Sequence, residues 1–288
     1  MTSLSRWRDA GRRFTWRGHS IFFREGGEGD APPLLLIHGF PTASFDWHRV
    51  WDDLAARFSR VVALDMIGFG FSDKPRRYDY SIAGQADLHQ ALLRELGIDR
   101  HHVLAHDYGD TVAQELLARR PDGLLSVCFL NGGLFPETHR ARFVQRVLAS
   151  PLGPALARLM NERSFRRSFA AVFGRDTKPT REEMHELWQL VAENDGPAVF
   201  PKLIGYMEER KRFRERWVDA LVRSPVPLRV IDGADDPVSG AHMAARYREL
   251  VPNPDVVLLP GIGHYPQLEA PRAVLDAFFA FHERPARM

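Results

Sequence analysis

Residues 102–109 read HVLAHDYG, a short apolar run that ends in a histidine, an aspartate and a glycine. The run has the length and composition of a buried strand, and a helical pattern follows at 111–120. Between them lies the frame small–x–Asp107–x–small, with Ala105 and Gly109 as the small residues. Small residues fit a tight turn in which a strand leads directly into a helix that packs closely against it. The stretch predicts such a turn, with the Asp107 carboxylate at its tip.

Strand and helix patterns alternate on both sides of this turn. Strands are predicted at 13–16, 20–24, 33–38, 61–65, 102–105, 125–130, 228–232 and 255–259. Helices are predicted at 44–58, 82–96, 111–120 (ended by Pro121), 241–250 and 272–282. The alternation predicts an α/β fold whose sheet is mostly parallel, with right-handed crossovers.

The alternation stops after Asn131 and resumes near Leu228. Residues 134–217 show only helical patterns separated by Pro and Gly. A helical segment inserted between strands predicts a cap over the carboxyl edge of the sheet, where ligands bind in open α/β sheets. The length of 288 residues fits one large domain or a core with an insertion. We predict a core of residues 1–133 and 220–288, and a helical cap of residues 134–219.

Composition excludes several classes of protein. The 39 Lys and Arg residues nearly balance 37 Asp and Glu residues, whereas nucleic-acid binders more often carry a concentrated basic face. No apolar run approaches the ~20 residues of a membrane helix, and residues 1–13 lack a signal-peptide pattern. The single cysteine, Cys128, excludes an intramolecular disulfide and a Cys-rich zinc site. We expect a cytoplasmic protein that acts on a small molecule, with no nucleic-acid partner, integral membrane segment, cofactor or metal. Monomer and homodimer both stay open.

Two later strand ends carry residues that could act together with Asp107. The strand predicted at 228–232 leads into Gly-Ala-Asp235-Asp236-Pro-Val, and the last strand leads into Gly-Ile-Gly-His264. A nucleophile, an acid and a base therefore follow each other along the chain, each after a strand. The spacing of the first motif favours Asp236 over Asp235 as the acid.

This order resembles that of the α/β-hydrolase superfamily, in particular its Asp-nucleophile branch of epoxide hydrolases and haloalkane dehalogenases. Residues 38–41 (HGFP) are similar to the HGxP loop of epoxide hydrolases, and residues 65–72 (DMIGFGFS) to the D-x-x-G-x-G-x-S loop of the superfamily. A more specific resemblance, to the mesoderm-specific transcript family, also covers the cap. It is carried by residues 37–47 (IHGFPTASFDW), 68–75 (GFGFSDKP), 106–116 (HDYGDTVAQEL), 131–140 (NGGLFPETHR) and 264–269 (HYPQLE).

The resemblance implies a role for each site residue. Asp107 would be the nucleophile, His264 the general base that activates water, and Asp236 the acid that orients His264. The backbone N–H groups of Phe40 and Tyr108 would form the oxyanion hole. A carboxylate nucleophile suits displacement at a saturated carbon, which yields an alkyl-enzyme ester.

Epoxide hydrolysis and dehalogenation differ in the group that leaves the substrate carbon. Epoxide hydrolases donate a proton from cap tyrosines, and the cap here has one, Tyr206, with His139 and His185 as lesser candidates. Haloalkane dehalogenases place Trp after the nucleophile and often Asn after His-Gly, where this chain has Tyr108 and Phe40. Fluoroacetate-type dehalogenases place Arg after the nucleophile. Epoxide hydrolysis is therefore favoured. A haloalkane or haloacid dehalogenase, an esterase or lipid hydrolase, and a non-catalytic ligand-binding protein are the alternatives.

The cap sequence also predicts substrate contacts. Phe40 and Trp188 are expected to bind a small to medium apolar substrate. Six apolar cap residues fit the roof of an apolar pocket, although packing within the cap explains most of them equally well: Leu152, Leu159, Phe165, Phe169, Phe173 and Trp188. Residues 208–216 mix charges of both signs, which is typical of a solvated helical face. An anionic lipid or an acidic partner is the alternative for that segment.

Overall fold

The computed structural model describes residues 3–120 and 122–283. Its strands are β1 (Arg12–Trp16), β2 (His19–Gly26), β3 (Leu34–Ile37), β4 (Val61–Leu64), β5 (His101–His106), β6 (Leu124–Leu130), β7 (Leu228–Gly233) and β8 (Val256–Leu259). They form one sheet in the order β1-β2-β4-β3-β5-β6-β7-β8. β1 and β2 are antiparallel to their neighbours, and the strands from β3 to β8 are parallel to one another.

The helices of the core flank the sheet. They are α1 (Leu4–Asp9), α2 (Trp51–Arg57), α3 (Ile82–Glu95), α4 (Tyr108–Ala118), α12 (Ala241–Leu250), α13 (Pro266–Glu269) and α14 (Pro271–His282). The central strands β3 and β4 are buried along their whole length. Their sequences, LLLI and VVAL, are continuous apolar runs, as expected where helices pack on both faces of a parallel sheet.

The chain between β6 and β7 is helical throughout its regular structure. It contains α5 (Phe143–Leu148), α6 (Gly153–Leu159), α7 (Glu162–Phe169), α8 (Arg181–Ala192), α9 (Phe200–Leu203), α10 (Tyr206–Arg212) and α11 (Arg214–Val222). Short 3-10 helices lie at Pro136–Thr138, Ala170–Val172 and Glu193–Val199. The predicted α/β fold with an inserted helical cap is therefore confirmed.

The predicted boundary between cap and core falls inside a helix. α11 continues through Asp219 to Val222 and packs against α4 of the core. The indole N–H of Trp217 donates to the Glu115 carboxylate at 2.8 Å, and the Arg216 guanidinium pairs with the same carboxylate at 2.9 Å. A boundary at 219/220 would thus cut a helix that is anchored on the core along its length.

The single helix predicted at 44–58 is wrong. The chain forms a 3-10 helix at Ser44–Trp47 and only then α2. Buried polar contacts hold the first turn, because the Asp65 carboxylate accepts the backbone N–H of Ser44 at 2.8 Å and also its hydroxyl group. The amphipathic spacing thus spans two short helices separated by a turn at residues 48–50.

The predicted end of α4 at Pro121 lies outside the described residues. Within the described chain, no helix is both long and apolar enough to cross a bilayer.

Candidate active site

The chain turns sharply at Asp107, between the last residue of β5 and the first residue of α4. Asp107 has a φ of 50°, a conformation that residues other than glycine rarely adopt. Gly109 allows the helix to pack closely after the turn, since a Cβ atom there would lie 2.4 Å from the carbonyl oxygen of Ile37. α4 begins at Tyr108, three residues before the predicted start at Thr111. Because Asp107 directly follows the last residue of β5, its side chain lies at the carboxyl edge of the sheet.

The HGFP loop supplies a backbone donor to this carboxylate. The N–H of Phe40 donates to Oδ2 of Asp107 at 3.0 Å. His38 fixes the loop, because its Nε2 accepts the N–H of Met66 at 3.0 Å and its Nδ1 donates to the Gly39 carbonyl at 2.9 Å. Burial is the main cause that lowers the pKa of His38 to about 3. The ring is therefore neutral, as this pattern of one donor and one acceptor requires.

Asp236 and His264 form a buried pair on the loops after β7 and β8. Nδ1 of His264 donates to Oδ2 of Asp236 at 2.7 Å. The Asp236 carboxylate also accepts the N–H of Val238 at 2.7 Å, the N–H of Ser239 at 3.1 Å and the Ser239 hydroxyl at 2.9 Å. The adjacent Asp235 is exposed. The structure thus brings Asp236, and not its neighbour, to the histidine.

Asn131 is a residue of this site that the sequence did not reveal as a partner of the acid. Its φ is 43°, and its side-chain amide donates to Oδ2 of Asp236 at 3.1 Å. The amide oxygen accepts the N–H of Gly233 at 2.7 Å. Asn131 therefore joins the end of β6 to the end of β7 and fixes the direction of the carboxylate. Its position directly after a strand was the signal that Asn131 belongs to the site. The sequence does not show, however, that its amide bonds to Asp236.

The ionisation of the pair follows from its surroundings. Burial alone would lower the pKa of His264, but the charge and hydrogen bond of Asp236, together with the charge of Asp107, outweigh it and raise that pKa to about 9. Burial alone would raise the pKa of Asp236, whereas His264 and the surrounding donors bring it below its usual value. The pair is therefore ionised at neutral pH. Nε2 of His264 lies 3.8 Å from Oδ1 of Asp107, beyond hydrogen-bond distance.

Asp107→Asn is expected to lower the pKa of His264 from its value of about 9, because the Asp107 charge is one of the causes that raise it. The unfolded chain has a histidine pKa of about 6.5. The ion pair between Asp236 and His264 therefore stabilises the fold fully at pH values below about 6.5. This contribution is lost as the pH rises through about 9, the pKa of His264 in the folded chain. NMR titration of the imidazole, assigned with a His264→Gln variant, measures the shift. An unchanged pKa in Asp107→Asn would contradict this coupling.

Arg210 of the cap reaches the back of the turn at Asp107. Its side chain is 2% exposed. Nη2 donates to the backbone carbonyl of Asp107 at 3.1 Å, and Nε donates to the Thr111 hydroxyl at 2.7 Å. A Cβ atom at position 133 would lie 2.4 Å from Nη1, so Gly133 leaves the space that the guanidinium fills. The solvated face predicted at 208–216 is therefore wrong for Arg210, because its helix packs this residue onto the core.

Arg210→Gln is expected to destabilise the protein by about 3–6 kcal/mol, since hydrogen bonds made by a charged group contribute about 1.5–3 kcal/mol each and Arg210 makes the two described above. Urea unfolding followed by circular dichroism measures the loss. Arg212→Gln is the matched control, because Arg212 lies on the same helix and is exposed. Equal stability of the two variants would show that the bonds to the turn contribute nothing measurable.

A cavity of about 430 Å³ lies between the sheet edge and the cap. Asp107, His264 and Phe40 line it on the core side. The cap contributes mainly apolar side chains, namely Val144, Leu148, Met160, Phe165, Phe169 and Phe200. An apolar cavity with a few convergent polar groups is the usual form of a small-molecule site.

Part of the predicted roof lies elsewhere. Trp188 does not line the cavity. Its ring packs on the far side of Phe165, with ring centroids 5.5 Å apart, because α8 packs behind α7. Phe173 is buried against the ring of Tyr265, and Leu152 and Leu159 are exposed. The sequence could not separate cap packing from cavity lining.

The tyrosine and histidines considered as proton donors are also outside the lining. Tyr206 is buried against the Tyr108 ring, with centroids 4.9 Å apart, and its hydroxyl has no hydrogen-bond partner among the described atoms. Burial chiefly raises the pKa of Tyr206, so the hydroxyl keeps its proton. His139 is largely buried, and Nδ1 of the exposed His185 lies 3.0 Å from the Glu162 carboxylate. Tyr265 does line the cavity, and its hydroxyl donates to the Phe40 carbonyl at 3.2 Å.

Comparison with known proteins agrees with the α/β fold described above. Residues 32–271 match the family described as alpha/beta hydrolase fold. The chain belongs to the α/β-hydrolase family. It is 43% identical to the mesoderm-specific transcript protein of Mus musculus over 293 residues, which cover 97% of this chain and 88% of that protein. The predicted resemblances to this family and to the mesoderm-specific transcript proteins are confirmed.

Two further similarities concern activity. This α/β-hydrolase is 40% identical to the putative hydrolase LipZ of Mycobacterium tuberculosis over 280 residues, which cover 96% of each chain. It also superposes on the haloalkane dehalogenase DbeA of Bradyrhizobium elkani with a TM-score of 0.78 and 25% identity, covering 94% of this chain and 98% of that one. Family membership and these relatives support a hydrolase.

Proposed function

We propose that this α/β-hydrolase is a cofactor-free enzyme in which Asp107 is the nucleophile and an alkyl-enzyme ester is the intermediate. The geometry of the Asp107 carboxylate carries the proposal. Phe40 N–H holds Oδ2 at 3.0 Å, and Oδ1 is the oxygen that lies 3.8 Å from Nε2 of His264. A carboxylate needs no deprotonation before it attacks, so the absence of a hydrogen bond to the base fits its role.

In the first step, Oδ1 of Asp107 attacks a saturated carbon of the substrate. A bond forms between that carbon and Oδ1, and the bond from the carbon to the epoxide oxygen breaks. The electron pair of the broken bond stays on the epoxide oxygen, which takes up a proton. The apolar lining of the cavity favours a small to medium apolar substrate.

In the second step, His264 removes a proton from a water molecule that attacks Cγ of the ester. Negative charge then develops on Oδ2, the oxygen that already accepts the Phe40 N–H. The N–H of Tyr108, in the first turn of α4, has no acceptor within the helix and is the second proposed donor. When the intermediate collapses, the bond between Cγ and Oδ1 breaks, and Oδ1 leaves with the substrate carbon and takes the proton from His264 to give a diol. The oxygen of the water stays in Asp107.

The ionisation of His264 suits this order of steps. Alkylation removes the negative charge of Asp107, which is one of the causes that raise the pKa of His264. Its pKa therefore falls after the first step, and a larger fraction of the imidazole is neutral when a base is needed. Asp236 holds Nδ1 throughout, so Nε2 is the nitrogen that accepts the proton.

The cavity favours an epoxide over a halide as the substrate group. The haloalkane dehalogenases that this chain resembles place a tryptophan after the nucleophile, whereas this chain has Tyr108 there. No tryptophan side chain lines the cavity in the part of the chain that the structure describes. The similarity to a haloalkane dehalogenase keeps dehalogenation as the second candidate. Ester hydrolysis is the third, because the same oxyanion donors would serve it.

A substrate panel tests this preference. We expect epoxides with short apolar substituents to react with a higher kcat/KM than haloalkanes and esters of similar size. Faster turnover of a haloalkane would replace the proposed reaction with dehalogenation, while the Asp107 mechanism would stand.

Tyr206 is proposed as the donor that protonates the opened epoxide. Its unpartnered, protonated hydroxyl supports this role, which requires the α10 side chain to gain access to the cavity. Tyr206→Phe is expected to lower kcat for epoxides by roughly 10²-fold, the lower end of general acid catalysis. Single-turnover kinetics of ester formation measure the effect. Undiminished epoxide opening would remove Tyr206 from the mechanism and leave Tyr265 as the tyrosine at the cavity.

A further inference from the structure

Residues 140–168 of the cap, here termed the basic cap segment, have an unusual charge. They contain seven arginines and one acidic residue, Glu162, a net charge of +6. The whole chain carries +2, so all other residues together carry −4. The protein is therefore strongly polarised, with its positive end on one part of the cap. Such a charge distribution orients a protein toward a negatively charged surface.

Only one of the seven arginines of this segment forms an ion pair in the described part of the chain. Arg166 pairs with Glu162 at 4.0 Å. Six others form no ion pair in the described part of the chain and are exposed, namely Arg140, Arg142, Arg146, Arg158, Arg163 and Arg167. Elsewhere, exposed arginines such as Arg223 and Arg272 pair with a carboxylate one helical turn away. Exposed arginines without an ion pair, such as Arg77, Arg94 and Arg181, also occur elsewhere in the described chain, but each of these three has an acidic residue within two positions. The segment is therefore distinguished by its net charge, with one acidic residue among seven arginines.

The same segment carries the large apolar side chains that the described chain exposes to solvent. Phe143 is 71% exposed, Leu152 is 68% exposed and Leu159 is 74% exposed. Leu152 and Leu159 are seven residues apart at the two ends of α6 and so lie on the same side of that helix. Exposed apolar side chains of this size are unfavourable in water and mark an interaction surface when they cluster.

The segment borders the entrance of the catalytic cavity. Arg142, Phe143 and Arg167 line the cavity and are also exposed, so they lie at its opening. Behind them the lining is apolar. A surface on which this segment docks would therefore face the cavity directly.

We propose that the basic cap segment docks on an anionic lipid–water interface. Single apolar side chains interleaved with unpaired arginines fit the boundary between headgroups and acyl chains, where arginines contact lipid phosphates and apolar side chains insert. A protein partner is less well matched, because the centre of a protein interface is depleted of charge. Docking requires no catalysis. If the enzyme acts as proposed above, an apolar substrate dissolved in lipid enters the cavity without crossing bulk water.

Sedimentation with vesicles tests the docking on the full chain. Wild-type protein is expected to sediment with vesicles of phosphatidylcholine and phosphatidylglycerol, and much less with phosphatidylcholine alone. Binding should weaken as salt is added, since salt screens exposed charges. A Phe143→Ser, Leu152→Ser, Leu159→Ser variant and an Arg142→Gln, Arg146→Gln, Arg158→Gln variant should each bind at least roughly tenfold more weakly.

The matched control removes the same number of charges from the core. An Arg57→Gln, Arg223→Gln, Arg272→Gln variant replaces three exposed, paired arginines and should sediment like wild type. Circular dichroism checks that each variant is folded. If this control lost as much vesicle binding as the variant of Arg142, Arg146 and Arg158, binding would depend on net charge alone. That result would overturn the proposed docking site. No sedimentation of wild type with anionic vesicles would also overturn it and would leave an acidic protein surface as the partner. Because no turnover is measured, either failure leaves the Asp107 mechanism untouched.

Discussion

Asp107→Asn is expected to lower kcat/KM by roughly 10⁴-fold or more, the scale on which loss of a catalytic nucleophile is measured in hydrolases. The amide nitrogen has no free electron pair for attack on carbon, so no ester forms. The fold should persist, because Asn keeps an oxygen to accept the Phe40 N–H that now binds Oδ2. Steady-state kinetics on an active epoxide measure the loss, and thermal unfolding checks the fold.

Single turnover of the wild-type enzyme in heavy-oxygen water tests the same residue without a mutation. The proposed second step places the oxygen of water in the Asp107 carboxylate, because water attacks Cγ. Mass spectrometry of the peptide that contains Asp107 should therefore show one heavy oxygen. Label only in the product, with every active substrate, would mean that water attacks the substrate directly and would exclude the ester intermediate.

Asp235→Asn is the control for the nucleophile variant. Asp235 is also a carboxylate after a strand, but it is exposed and is not a partner of His264. Its replacement should leave kcat/KM within about twofold, as for most surface substitutions. If kcat/KM fell to a similar extent in both variants, the effect would come from the loss of a negative charge anywhere near the site. That result would contradict the role of Asp107.

His264→Gln is expected to stop the reaction after the first step. A carboxylate nucleophile needs no general base for its attack, so the ester still forms, whereas water is no longer deprotonated. The alkyl-enzyme should accumulate in one rapid turnover, and steady-state kcat should fall by roughly 10²–10⁴-fold, the usual contribution of general base catalysis. Intact-protein mass spectrometry would detect the added mass of one substrate molecule.

The control for this variant is His185→Gln. His185 is an exposed histidine on the cap, and its replacement should neither trap the ester nor change kcat. Continued steady turnover by His264→Gln would contradict the assignment of the base. Loss of ester formation in that variant would show that His264 also assists the first step.

The strand ends were predictable because their sequence patterns are local. The frame around Asp107 requires small residues within two positions on either side, and Gly109 is needed for contact with the neighbouring strand. Asp236 was separated from Asp235 by a short motif, and the structure gives the reason. The loop turns so that Val238 and Ser239 donate to Asp236, while Asp235 is left in solvent.

Residues of the cap were predicted less well. Trp188 and Phe165 are both apolar side chains on helices, but only Phe165 lines the cavity. Helical periodicity shows that a side is apolar and does not show whether it meets another helix or a cavity. For the same reason Arg210, one cation in a run of mixed charges, gave no sign of its contact with the turn at Asp107.

The sequence alone determined the α/β sheet, the helical insertion, and the chain order of Asp107, Asp236 and His264 at strand ends. These features depend on apolar periodicity and on residues within a few positions of a strand end. Tertiary structure decided which side chains meet across long separations in the chain. Asn131 bonds to Asp236, and Arg210 bonds to the Asp107 carbonyl. Tertiary structure also decided which side chains of residues 140–168 stay exposed. The physical reason is that hydrogen bonds and burial depend on distances in the folded chain, which no local pattern specifies.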